Sequence, residues 1–177
     1  MLAAVTTRDA LKMLFTVCIR GDSKLAVEWL CGRWKIKDGR YRKRVATAQD
    51  RLQYLFEHMG ARTRGLAADP WEHVRRECNR RADELTHKAR SQGSGEWWAM
   101  PRSWPTAILV QFDGGVDTDD GAGAWTLATW DGSAWKTQAE AWWRYDTTCT
   151  VTTVEIDAAV AATQALDRFI QACHLWK

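Results

Sequence analysis

AILVQFDGG, residues 107–115, is the stretch whose reading decides the fold. Five of the six residues before Asp113 are apolar, and a short, nearly unbroken apolar run suits a strand buried on both faces. Gly114-Gly115 then signals a turn, which sets Asp113 at the end of a central strand. A carboxylate in that place is costly unless it has a partner or a cation. Taken alone, an aspartate before two glycines is as readily a turn former. Three further stretches decide between the two.

Working outward, the chain of 177 residues is one domain, or one domain with an extension, and 46% hydrophobic residues supply a sizeable core. Twelve tryptophans read as core or groove residues. Cys18, Cys31, Cys78, Cys149 and Cys173 are odd in number and form no CxxC pair, which argues for free thiols and against zinc or a disulfide framework. Arg8 interrupts the N-terminal segment before an apolar leader develops, and no run approaches the ~18 apolar residues of a membrane span. The expectation is an intracellular protein, cytoplasmic or nuclear, with no membrane partner. Charge is split along the chain. Residues 1–91 carry 20 Lys+Arg against 11 Asp+Glu, whereas residues 92–177 carry 5 against 11. A basic half of this kind hints at a polyanion partner.

Residues 14–20, LFTVCIR, read as a second buried strand, and Gly21-Asp22-Ser23 hands it to a helix with Val27, Leu30, Cys31 and Trp34 on one face. Asp22 in that place is also an ordinary helix cap. Residues 33–44 then carry Arg33, Lys35, Lys37, Arg40, Arg42, Lys43 and Arg44, interleaved with Trp34 and Tyr41. Such a run is a solvated face or a phosphate-backbone contact. Ala48, Leu52, Leu55, Phe56 and Met59 mark a second helix, residues 61–70 a loop, and WEHVR at 71–75 a short strand. A third helix follows with Ala82, Leu85 and Ala89 on one side. Residues 90–106 hold Gly, Ser and two of the three prolines without a period, and read as a linker. After the Asp113 strand, GAGAWTLATW and AWKTQAEAWWRY form strands around an Asp131-Gly132 hairpin turn. Residues 150–173 form the last helix, with Glu155 in its first turn. Asp117, Asp119 and Asp120 fail the calcium-loop pattern at Gly121.

Together these pieces resemble the ribonuclease H domain, especially its retroelement and plant-type members. AILVQFDGG with GAGAWTL looks like the family's first strand and hairpin, and TVTTVEIDAAVAATQAL resembles its first helix, with Glu155 as the helix glutamate. GDSKLAVEWL is very close to the next strand-to-helix junction, with Asp22 as its aspartate. HVRRECNRRADELTHKA is similar to the C-terminal segment, with His73 and Asp83 in the matching places. The order differs, because the family's second half precedes its first. A circular permutation accounts for that, with residues 90–106 joining the ordinary end to the ordinary start. A segment of a tandem array, completed by a neighbouring copy, is the alternative. Val151 and Thr152 stand where the family commonly has two asparagines, and an acidic Asp117–Asp120 loop replaces a mostly neutral one.

The resemblance implies an α/β fold with a five-stranded mixed sheet and helices on both faces. It implies a metal-dependent endoribonuclease that hydrolyses the RNA strand of RNA/DNA hybrids. Asp113, Glu155, Asp22 and Asp83 would ligate two Mg2+ ions (Mn2+ as a substitute), and His73 would assist proton transfer or product release. The seven cations of 33–44, with Ser23 and Thr152, are the expected nucleic-acid contacts, and 2′-hydroxyls would distinguish RNA from DNA. A permuted monomer would bring all four carboxylates within about 10 Å of one another, with residues 1–13 beside 173–177. A binding domain that has lost catalysis and a DNA-cutting relative on the same fold are the alternative functions.

Overall fold

In the computed structural model, which describes residues 15–63, 69–101, 104–118 and 120–175, the 107–113 run is the first part of a longer strand, β5 (Ala107–Asp117). It lies in the middle of one mixed sheet. On one side it pairs in parallel with β1 (Phe15–Gly21), Ile19 opposite Val110. On the other it is antiparallel to β6 (Asp120–Trp130), which pairs with β7 (Trp135–Arg144). The two short apolar runs of the sequence are thus parallel neighbours in the sheet. Gly114-Gly115 is not the turn, however. Both glycines stay in the β5–β6 ladder, opposite Gly123 and Ala122, and the chain reverses beyond Asp117.

Among the described residues the sheet has seven strands, where the resemblance implies five. β2 (Ala61–Thr63) and β3 (Trp71–His73) pair in parallel with successive parts of β1 and make one interrupted edge. The other edge is β4 (Gly95–Trp98), antiparallel to β7, inside the segment read as a linker. Its four residues are too few to show an alternation. The missing Cβ of Gly95 leaves room for the Trp142 ring, which a Cβ would approach to 2.6 Å.

β5 alternates faces. Ile108, Val110 and Phe112 join Phe15, Val17 and Ile19 of β1 in the main core, under α1 (Lys24–Leu30), α2 (Gly39–His58) and α4 (Val151–Leu175). Gln111 and Asp113 turn the other way, towards α3 (Arg80–Gln92), which buries Ala82, Leu85 and Ala89. α1 ends at Leu30 and not at Trp34, because Gly32 takes a positive φ of 71°. α2 begins nine residues ahead of Ala48. Asp38 caps it by accepting from the Arg40 amide at 2.9 Å, and Tyr41 and Val45 extend the apolar stripe of Ala48, Leu52 and Leu55. Half of the basic segment is therefore helical.

Glu140 of β7 clamps α3 and β4 to the sheet. It is 2% exposed and accepts both Arg81 Nε (2.6 Å) and Arg81 Nη2 (2.7 Å), with Trp97 Nε1 at 3.1 Å. Glu140→Gln keeps the shape but removes the charge that three donors face. It is expected to lower the unfolding free energy by about 2 kcal/mol, read from urea denaturation. Among the described residues, no helix is long and apolar enough to cross a membrane.

Candidate functional site

Three carboxylates from three separate elements meet at one end of the sheet. Asp22 follows β1, Asp113 lies within β5, and Glu155 sits in the first turns of α4. One oxygen from each lies within 4.8 Å of the others. What permits the approach is Gly114. A Cβ there would stand 2.5–2.6 Å from the backbone of Val154 and Glu155, so only glycine lets α4 press its first turns against β5.

Asp113 and Glu155 are both buried, at 6% and 8% exposure. Burial, and then the charge of Asp22, pushes the Asp113 carboxyl up to about 7; burial, Asp113 and Asp22 push Glu155 up to about 9. Thr86 opposes the rise at Asp113, because a hydroxyl that donates to the carboxylate favours its charged form. Its hydroxyl lies 2.7 Å from the Asp83 carbonyl and 3.1 Å from Asp113 Oδ2, yet it has one proton to give. That proton is shared between the Asp83 carbonyl and Asp113, so the relief it gives Asp113 is partial. The Gly114 amide bonds to the Glu155 carboxyl, but its Oε2 is buried with no hydrogen-bond partner among the described residues. Hard oxygen donors, crowded like charges and an orphaned carboxylate oxygen together fit a hard divalent cation such as Mg2+. Half-buried Asp22 with buried Asp113 and Glu155 is a group that could hold a metal ion.

The other expected site residues fall around this triad. Asp83, in the first turn of α3, is not part of the three-carboxylate group. Its charge does bear on Asp113, but Arg76 binds it through both Nε (3.0 Å) and Nη2. His73, at the end of β3, lies with Nε2 3.1 Å from the Asp22 carbonyl oxygen. A carbonyl only accepts, so Nε2 carries the proton and Nδ1 remains the basic nitrogen. Ser23 caps α1, its oxygen accepting from the Ala26 amide at 3.4 Å. Thr152 is half-buried in the first turn of α4.

The basic segment is less uniformly available than its composition suggests. Arg33 pairs with Glu28 and Asp69, Arg40 with Asp38, and Arg44 with Asp157, two residues beyond Glu155. Arg42 donates to the Lys37 carbonyl at 3.0 Å, and its charge bears on Asp38. Lys35, Lys37 and Lys43 are exposed. Trp29, Trp34, Lys35, Ile36 and Arg42 line a groove of about 600 Å³ beside them. The Arg44–Asp157 pair and the Tyr41 hydroxyl, 3.2 Å from Thr150 Oγ1, bind this segment to the start of α4 and so to the site.

Sequence reasoning missed Asn79. It is fully buried, and its Nδ2 donates to Asp22 Oδ1 (3.2 Å) and to the Phe112 carbonyl (2.8 Å). It stands at the N-cap of α3 but makes no capping bond with its side chain. An asparagine directly before a helix reads as a cap, so its sequence position hid its use in orienting Asp22. The expectation that residues 1–13 lie beside 173–177 falls on residues 1–13 and 176–177, which lie outside the described residues. No protein-family model matches the chain, and no curated protein matches it in sequence.

Proposed function

We propose that the chain is a circularly permuted ribonuclease H-type endonuclease that hydrolyses the RNA strand of an RNA/DNA hybrid with Mg2+. The observation that carries this reading is the convergence of Asp22, Asp113 and Glu155, from elements far apart in sequence, on one buried point with an orphaned Glu155 oxygen. The strand pairing supports it as well. β1 from the first half and β5 from the second lie side by side in parallel, so the two halves share one sheet, as a permuted domain requires.

Asp22, Asp113 and Glu155 would hold the cation, which supplies Lewis-acid polarisation of the phosphate and a more acidic water. Asn79 and Thr86 fix Asp22 and Asp113, so the ligands are oriented before substrate arrives. The reaction is an in-line displacement: a water oxygen bonds to phosphorus, the bond to the bridging oxygen breaks, and that oxygen takes up a proton. His73, held by its Nε2 bond to the Asp22 carbonyl, would assist proton transfer or product release. Lys35, Lys37, Arg42 and Lys43 would take the backbone of the DNA strand.

The test is a labelled hybrid incubated with Mg2+, next to the same sequence as RNA duplex and DNA duplex, with Asp113→Asn as control. Cutting of the hybrid's RNA strand alone supports the reading. Cutting of the DNA duplex makes the protein a DNA nuclease, and binding without cutting makes it a binding domain. For the basic surface, reversing Lys35, Lys37 and Lys43 to Glu is expected to weaken hybrid binding at least tenfold at ~0.1 M salt and to lower the salt slope by about 2–3. Filter binding across a salt series reads both. An unchanged slope returns these lysines to a solvated face.

A further inference from the structure

Arg76 stands out because it neutralises the one expected metal ligand that the triad leaves aside. It belongs to a 3-10 turn (Arg76–Cys78) just before α3, and its guanidinium meets Asp83 Oδ1 through both Nε and Nη2. The arginine side chain is 68% exposed and the aspartate only 21%, so the cation lies over the acid on the solvent side. Its field reaches further: Arg76 feels Asp113 and Asp22, and it opposes the rise that burial imposes on Glu155. A cation bound at Asp83 would have to displace this guanidinium and would then sit beside a like charge. The triad, by contrast, brings three carboxylates within 4.8 Å of one another, two of them buried, with one oxygen unpartnered among the described residues, so it is the stronger attractor.

We propose that Arg76 is an exchangeable counter-ion, holding the free protein to one divalent cation and passing from Asp83 to a backbone phosphate when a nucleic acid docks. A guanidinium suits the exchange because its planar donor fork matches a phosphate as well as a carboxylate. The mostly exposed side chain is free to swing, and Asp83 is then released for a second ion only when substrate is present. The inference rests on the nuclease reading above and refines how that site is loaded.

Mn2+ titration followed by electron paramagnetic resonance counts the ions directly, on the wild-type chain, Arg76→Gln and Arg76→Lys, with thermal melting to check that each is folded. The expected result is one ion per chain for wild type and for Arg76→Lys. In Arg76→Gln a second ion binds at least tenfold more tightly than in wild type. Hybrid binding in EDTA should show a salt slope about 0.9 smaller in Arg76→Gln, one phosphate contact fewer. One ion in all three proteins, two in the wild type, or an unchanged salt slope would overturn the role of Arg76 and leave the nuclease reading standing. No ion in any of the three would overturn both, which keeps the two failures apart.

Discussion

Asp113→Asn is expected to abolish hydrolysis while making the metal-free protein more stable at pH 8. The loss should be at least about a thousandfold, the scale seen when a group that organises transition-state charge is removed. The gain follows from the proton balance of the site. Asp113 is raised to about 7 and Glu155 to about 9, whereas in the unfolded chain both titrate near 4. Between pH 4 and 9 the folded site therefore holds protons that the unfolded chain has released. Stability contributed by these groups is complete below pH 4 and falls as pH rises through 7 and then 9. Each unit of difference is worth about 1.4 kcal/mol, which sets a ceiling of roughly 4 kcal/mol for Asp113. Part of this is recovered through Thr86, so a gain of about 2 kcal/mol, or ~5 °C in Tm, is the expected value for asparagine. Saturating Mg2+ should reverse the ranking. At a hundred times Kd it adds about 2.7 kcal/mol to the wild type and little to the variant. A thermal shift series over pH 5–9, with and without Mg2+, measures both the pH trend and the reversal. If the metal-free wild type grows more stable as pH rises, Asp113 and Glu155 do not carry protons in the folded site.

The same site shows what a sequence can carry and where it stops. β1, β5 and α4 were legible because each is a continuous run whose periodicity lies within the run itself: alternating or unbroken apolar residues for the strands, and Ile156, Ala159, Leu166 and Ile170 on one face for the helix. Asp22, Asp113 and Glu155 were legible as acids at the ends or starts of such runs. Asn79 and Arg76 were not, because their work is done across space: Asn79 reaches Asp22 over 57 positions. The hairpin after Asp113 was misjudged for a related reason. Gly114-Gly115 has the composition of a turn, but Gly114 is there to admit the backbone of α4. β4 escaped notice because an edge strand of four residues is specified mainly by its partner, through Trp142 over Gly95 and Glu140 bonded to Trp97. The charge of segment 33–44 was counted correctly, but Glu28, Asp69 and Asp157, which pair with its arginines, lie outside the segment.

Gly114 offers the sharpest structural test, because its neighbour supplies the control. A methyl group at Gly114 meets Val154 C at 2.5 Å, Glu155 N at 2.6 Å and Val154 O at 2.6 Å, all of them helix backbone. Backbone inside the first turns of α4 cannot step aside without moving the helix, and α4 is packed into the main core through Ile156, Ala159 and Phe169. A methyl at Gly115 meets only the Nη1 atom of Arg90, at 3.3 Å, the far end of a flexible side chain. Gly114→Ala is therefore expected to cost about 3 kcal/mol or more, at the upper end of overpacking, and Gly115→Ala well under 1 kcal/mol. Function should divide in the same way. Lifting α4 away from β5 carries Glu155 away from Asp113 and Asp22, so Gly114→Ala should weaken cation binding by at least tenfold even at temperatures where the chain remains folded. Gly115→Ala should bind as the wild type does. Urea denaturation and Mn2+ titration on both variants separate the two effects. Equal behaviour of the two alanines would mean that the contact of α4 with Gly114 does not hold Glu155 in place, and that the glycine after Asp113 is not required by the helix.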